Sequence, residues 1–276
     1  MTLHVLRLGD TAYPAALGAL AEPPASVWLR GCLPTGRAVA VVGARAAGAD
    51  KLAVAREVGA HLARQGVAVV SGGALGIDAA AHRGALDGGG ATVAVLGTGI
   101  DVPYPAQHAP LFDQIVAAGG AVLSQFPPGA QPTRWSFPVR NRVIAALAEA
   151  VVVIEAAADS GSLYTAAAAR ELSRPVVALL GSPGCDALAG AGAKSARSAD
   201  DILARIDGRA VAAPPLPGDP RARRLLEALD GTPRDLGDLA ARAGLRTDEA
   251  MALAIDLELG GLAARAAGGR YLRLAH

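Results

Sequence analysis

The stretch Phe126–Ala150, FPPGAQPTRWSFPVRNRVIAALAEA, gathers side chains suited to holding an anion. It carries Arg134, Arg140 and Arg142, one acid (Glu149), two of the three phenylalanines and one of the two tryptophans. Pro138 marks a helix start, because its fixed φ suits a first turn that needs no N–H there. The helix VRNRVIAALAEA would then open with two guanidinium groups, the wrong sign for the positive end of a helix dipole. Cations placed there against the dipole point to an anion that joins them. Backbone N–H groups and two guanidinium forks at one helix start suit a phosphate.

Other residues with chemistry to offer are glycine-framed. The run GARAAG at 43–48 has the outer spacing of a dinucleotide fingerprint, but Arg45 stands where a glycine would let the backbone approach a pyrophosphate. That argues against NAD and for a side-chain contact to phosphate, with a local salt bridge as the plain alternative. Ser71, Gly72 and Gly73, followed by Gly76, Ile77 and Asp78, read as a strand-to-helix turn that a ligand or another backbone can approach closely. Asp78 suits a helix first turn for its own sake, and His82, one turn on, is read as its partner. Tyr104 follows a Gly97-Thr98-Gly99 turn and either stacks on a base or anchors packing. Ser160 and Ser162 flank Gly161 at a helix start, as caps or as anion ligands, and Glu155 before them is placed to anchor an arginine.

Catalytic signatures are absent. There is no GxxxxGK[ST], no histidine pair at metal spacing, no Ser/His/Asp or Cys/His set and no legible carboxylate pair. No catalytic residue, cofactor or metal is therefore expected.

Elements positioning these residues repeat regularly from Arg37. Apolar runs AVAVVG (38–43), VAVVSGG (67–73), ATVAVLG (91–97), AVLSQF (121–126), AVVVIEA (150–156) and PVVALLG (175–181) have strand length. Helices are read between them at about 49–65, 77–86, 106–118, the Arg-rich stretch, and 160–173. Short apolar strands alternating with helices predict an α/β fold: an extended Rossmann-like, mostly parallel sheet covered by helices. Right-handed crossovers then place all strand C-terminal ends, and nearly all the unusual residues, along one edge.

Residues 1–36 read as a short preface, with Trp28 in the core. Residues 211–220, VAAPPLPGDP, read as a proline-rich linker closing a domain at 37–210. Residues 221–276 then read as three short helices, capped at Thr232 and Thr247, and a hairpin with a Gly-Gly turn, the order of a winged helix. From 211 to 276 there are nine arginines, no lysine and nine acids, so this part is formally neutral. A duplex reader normally carries a basic face, so a protein-contact role is at least as well supported.

The whole chain of 276 residues is 52% hydrophobic with a net charge of +1, which sustains a core but advertises no global basic field. Two cysteines without zinc spacing, no membrane-length apolar run and no signal-peptide pattern lead to the expectation of a cytoplasmic protein without membrane insertion.

Five segments, GAR (43–45), SGGALGIDAAAHRGAL (71–86), AVLGTGIDVPYP (94–105), FPVRNRVIAAL (137–147) and SGSLYTAAAA (160–169), resemble in order and spacing the DNA-processing protein A (DprA/Smf) family over about residues 37–206. The resemblance implies a domain that binds single-stranded DNA, a homodimer, and a mediator that protects incoming DNA and loads the RecA recombinase in natural transformation. It also implies a C-terminal winged-helix-like domain. Carried over, the DNA-binding residues are Arg45, Ser71, Gly72, Gly73, Arg140, Asn141 and Arg142, together with Ser160 and Ser162, and Phe137 would support bases. Three departures stand out. Leu75 occupies the place of a usual arginine, the loop GSPGCDALAGAGAK after the sixth strand looks shortened, and the family's N-terminal helical domain is reduced to the preface. The alternative is a nucleotide-hydrolysing enzyme of the lysine-decarboxylase-like phosphoribohydrolase type. Its PGGxGTxxE signature is replaced here by SGGALGIDA.

Overall fold

Runs of valine and alanine bounded by glycines become buried strands, because β-branched and small side chains pack well on a pleated surface covered on both faces. The computed structural model describes residues 3–211 and 215–274 and divides into two units, Met1–Val176 and Val177–His276. The first contains β1 (Leu3–Arg7), α1 (Ala15–Gly18), β2 (Ser26–Gly31), β3 (Ala38–Val42), α2 (Ala49–Arg64), β4 (Ala68–Ser71) and α3 (Ile77–Asp87). It continues with β5 (Thr92–Gly99), α4 (Ala109–Ala117), β6 (Ala121–Phe126), α5 (Ser136–Ala146), β7 (Ala150–Val153) and α6 (Ser162–Glu171).

The strand order in this unit is β1-β2-β6-β5-β4-β3-β7. From β6 to β7 all pairings are parallel, and β1 and β2 join antiparallel at one side. The preface is thus continuous with the sheet: Val27 and Leu29 are buried, and Trp28 packs on the cluster formed by Leu96, Phe112, Ile115 and their neighbours. The chain runs outward from β3 through β4, β5 and β6, then crosses back to β7 on the other flank of β3. Such a reversal leaves a crevice at the C-terminal ends of the two strands where the order switches.

The second unit begins with β8 (Val176–Leu179), α7 (Pro183–Gly190), a parallel β9 (Lys194–Ala196) and α8 (Ala199–Ile206). The segment read as a shortened loop is therefore a helix and a strand. Pro183 fills the first helical turn behind an extended Ser182, and Cys185 and Leu188 are buried. Then come α9 (Pro220–Ala228), α10 (Leu236–Ala243), α11 (Thr247–Leu259) and the antiparallel hairpin β10 (Ala263–Arg265) and β11 (Tyr271–Arg273). Leu225, Leu226, Leu239, Leu253, Leu257 and Tyr271 form their common core. The caps differ from the threonines expected. Asp219 and Asp235 accept from Arg221 and Gly237 N–H, and Glu249 accepts from Arg246 N–H. Thr232 instead donates its own N–H to Asp230. Part of the linker, residues 212–214, lies outside the described residues. Among the described residues no helix is long and apolar enough to cross a membrane.

Candidate functional site

One face of α5 builds the crevice. Phe137, Pro138, Arg140, Asn141 and Ile144, spaced as one side of a helix, line a cleft of about 210 Å³ together with Gly43 and Arg45 after β3 and Ser160, Gly161, Ser162 and Thr165 at α6. The helix starts earlier than its proline suggested. Ser136 N–H donates to Thr133 Oγ1 (3.1 Å) and Thr133 N–H to Ser136 Oγ (3.2 Å), a reciprocal pair that fixes the first turn. Arg140 is consequently the fifth residue of α5, and its charge does not confront the first-turn N–H groups.

Arg140 is only 5% exposed. Its Nη1 donates to Gly72 O at 2.5 Å and to Val95 O, and its Nε donates to Asn141 Oδ1 at 3.1 Å. Carbonyls just after β4 and within β5 thus solvate the buried guanidinium. Burial, with a smaller contribution from the Arg45 charge, pulls its pKa down to about 10 against the attraction of Asp78, so it remains a cation at neutral pH. Asp78 is buried below it. Its Oδ2 accepts from Gly72 N–H (3.1 Å) and Ala74 N–H (3.2 Å). Burial raises the Asp78 carboxyl, opposed first by Arg140 and then by those N–H groups. The glycine turn is clasped by Arg140 on its carbonyl side and by Asp78 on its amide side. Gly72 is required by this: a Cβ there would lie 2.6–2.7 Å from the Arg140 guanidinium. Gly76 is required by conformation, with φ +76° and Ala44 O 2.3 Å from where a Cβ would sit.

Arg45 is exposed, with Cζ 5.2 Å from the Phe137 ring centroid; Arg140 Cζ lies 6.0 Å from the same ring. The ring also meets Tyr104 at 5.5 Å and 40°. Arg45, Leu75, Tyr104 and Phe137 border a smaller hollow of about 70 Å³ that shares Arg45, Ala74, Phe137 and Arg140 with the cleft. Asn141 Nδ2 donates to Gly161 O (2.9 Å), and the Ser160 and Ser162 hydroxyls meet at 2.9 Å beside the α6 N-terminus. Trp135, 68% exposed, precedes this face with the Arg134 guanidinium 4.9 Å from its ring.

Several expected site residues stand elsewhere. The Ser71 hydroxyl is fully buried and donates to Val41 O, and Gly73 O accepts from His108 Nδ1. Both shape the turn and neither lines the cleft. Arg142 points away, toward Glu22 (3.8 Å) and Glu171 (4.0 Å). Glu155 anchors no arginine, and its buried Oε2 has no hydrogen-bond partner. His82 does not pair with Asp78. Its Nδ1 donates to Thr92 Oγ1 (2.7 Å), whose own proton goes to Val69 O. Burial first, then the His108, Arg140 and Arg83 charges, lowers its pKa to about 3. Thr165 was within reach of sequence reasoning, since it closes the motif that contains Ser160 and Ser162. Asp78's clasp was not, since its amide partners are set by the fold. The arrangement can bind anionic oxygens and flat rings side by side.

Known proteins of one family are similar to this chain. A family described as DNA recombination-mediator protein A matches residues 4–207, and one described as DprA winged helix domain matches residues 209–269. The chain is 44% identical over 242 residues to the putative DNA processing protein DprA of Mycobacterium tuberculosis, covering 82% of this chain and 62% of that protein's length. It is 41% identical over 206 residues to DNA processing protein DprA of Streptococcus pneumoniae, covering 72% of each. The crystal structure of the Streptococcus pneumoniae protein superposes with a TM-score of 0.68 at 40% identity, over 73% of this chain and 74% of that one. DNA processing protein A of Helicobacter pylori superposes with a TM-score of 0.66 at 26% identity, over 75% of this chain and 96% of that one; its structure was described for a single-stranded DNA binding mode.

Proposed function

Because this chain belongs to the DNA recombination-mediator protein A family, we propose that it is a recombination mediator that holds single-stranded DNA in the cleft at the ends of β3 and β7. The observation that carries this reading is the exposed Arg45 stacked over Phe137 beside the buried Arg140 cation. An arginine fork takes a phosphate while an aromatic face supports a base, the two contacts a single strand offers repeatedly. The serine hydroxyls and α6 N–H groups extend the anion-binding wall. We place Arg45, Phe137, Asn141, Ser160 and Ser162 in contact with the strand. Gly72, Gly73, Ser71 and Arg140 shape the turn beneath it, and Arg142 makes no primary contact.

The protein acts as a binder and not as a hydrolase. Asp78, which lines the cleft, and His82 and His108 behind the glycine turn are each held in structural hydrogen bonds. Its setting is the cytoplasm, its partner on DNA is the RecA recombinase in natural transformation, and it works as a homodimer; these rest on the family. The division into a sheet domain to about residue 210, a linker to 220 and a winged domain to 276 is the working organisation we adopt. The test is a fluorescence-anisotropy titration of labelled oligo-dT against a duplex of equal length, with the mass of the complex measured. Preferential retention of the single strand by a dimer is expected. Equal affinity for both, or release of free base from nucleoside monophosphates, defeats the proposal.

A further inference from the structure

The third helix of the winged domain presents a face that suits no nucleic acid. Met251, Ile255 and Leu259 stand one turn apart on α11 and are 51%, 45% and 82% exposed, while Ala250, Leu253, Ala254 and Leu257 fill the core behind them. The same helix carries Asp248, Glu249, Asp256 and Glu258 and no lysine or arginine. In a winged or turn-containing helical domain this is the element that enters a duplex groove. Here phosphates would meet carboxylates and exposed apolar side chains. Four neighbouring arginines are already paired with acids, Arg221 with Asp219, Arg234 with Asp230, Arg242 with Asp238 and Arg246 with Asp248, which leaves Asp256 and Glu258 as the acids of α11 outside these pairs and outside the Arg221–Glu249 contact.

At its C-terminal end the stripe runs into a hollow of about 270 Å³ bordered by Leu180, Asp186, Arg197, Glu258, Leu259 and Ala263. Arg197 is engaged with Asp201 at 3.1 Å. Burial and the neighbouring Asp186 raise the Glu258 carboxyl, and Arg265 only partly offsets them. Asp186 is buried and accepts from Gly181 N–H, so the half-buried Glu258 is the carboxylate this rim offers to a partner.

We propose that this face docks an amphipathic basic helix of a partner protein. The partner's apolar side lies on Met251, Ile255 and Leu259, and its lysines or arginines reach the exposed Asp256 and the half-buried Glu258. An apolar stripe beside the exposed Asp256 complements a basic amphipathic helix, whose apolar face packs on the stripe while its cations reach the carboxylate. The inference does not depend on the cleft of the first unit.

The probe is a fluorescein-labelled leucine–lysine peptide of about five helical turns, titrated against the full chain by anisotropy. Two controls accompany it: the leucine–glutamate peptide of the same pattern, and a scrambled leucine–lysine peptide without an apolar face. Saturable binding of the first peptide alone is expected. It should weaken by about tenfold or more in the Ile255→Ser, Leu259→Ser double variant and in the Asp256→Lys, Glu258→Lys double variant. Ile255, Asp256 and Leu259 are exposed and Glu258 is half-buried, and circular dichroism and melting temperature should match the parent; Met251→Lys is a second, single-site check. Several results would overturn the proposal: no binding of the leucine–lysine peptide, equal binding of the scrambled peptide, or unchanged affinity in the variants. So would loss of duplex DNA binding in the serine double variant, which would make α11 a DNA reader. Its conversion from dimer to monomer in sedimentation would show that a second copy covers the stripe.

Discussion

Arg45 and Arg140 both lie over the Phe137 ring, at 5.2 and 6.0 Å from its centroid, yet Arg45 is exposed and Arg140 is 5% exposed with its donors on two backbone carbonyls. Their substitutions should separate. Arg45→Glu should weaken oligo-dT binding by about tenfold or more, roughly 1.4 kcal/mol, with an unchanged melting temperature. Arg140→Ala should lower the melting temperature as well, because it strands Asp78 and two carbonyls in the interior, a loss on the order of 3–5 kcal/mol. Equal thermal stability of the two variants would contradict the structural role given to Arg140. Leu75, 40% exposed beside Arg45 and Tyr104, stands where the resembled pattern has an arginine. Leu75→Arg should tighten oligo-dT binding by about threefold to tenfold, with a steeper salt dependence, in the same titration. Trp135 offers an optical check. Its emission should be quenched by oligo-dT in a Trp28→Phe background, and Trp135→Ala should lose about 1–3 kcal/mol of binding. Quenching equally strong with a duplex would remove it from the single-strand track.

At the scale of elements, the strands of the sheet were legible because each is a short apolar run ended by glycine or a polar group. The observed β3, β6, α2 and α3 fall within a residue of where their patterns place them. The segment 182–206 was not, since its glycine, alanine and serine content blurs any period. The Ser198 cap on Asp201 N–H (3.2 Å) was a readable start signal for α8. The site was half legible. Arg45, singled out by type and spacing, and Asn141, carried over from the resemblance, line the cleft with Phe137, but the surroundings of Ser71, Arg140 and Arg142 depend on which carbonyls and acids the crossovers bring near. The α3–β5 contact through His82 carries a pH dependence. With a folded pKa of about 3 against 6.5 unfolded, the unfolded chain binds the extra proton between those values, so His82 destabilises the fold as pH falls. Asp78, raised in the fold, takes up a proton more readily when native and offsets part of this in acid. Urea unfolding should show a loss on the order of 1.4 kcal/mol for each pH unit below about 6.5, and His82→Gln should flatten that slope. An unchanged slope would mean the imidazole is not buried as described.

Over the whole molecule the formal charge is +1, so cation contacts with DNA must come from the cleft and not from a diffuse basic field. The logarithm of affinity for a single strand should therefore fall only shallowly with the logarithm of salt, at about −0.7 per phosphate engaged. A slope implying many phosphates would place the contact elsewhere. Gly72 and Arg140 are 68 residues apart in the chain, and the guanidinium fills the space a side chain at 72 would need. These two positions are coupled through that shared space. A side chain gained at 72 would push the Arg140 guanidinium off the Gly72 and Val95 carbonyls and loosen the brace on the glycine turn. The pair should therefore be inherited as a unit, and a double substitution should cost less than the two single ones added together.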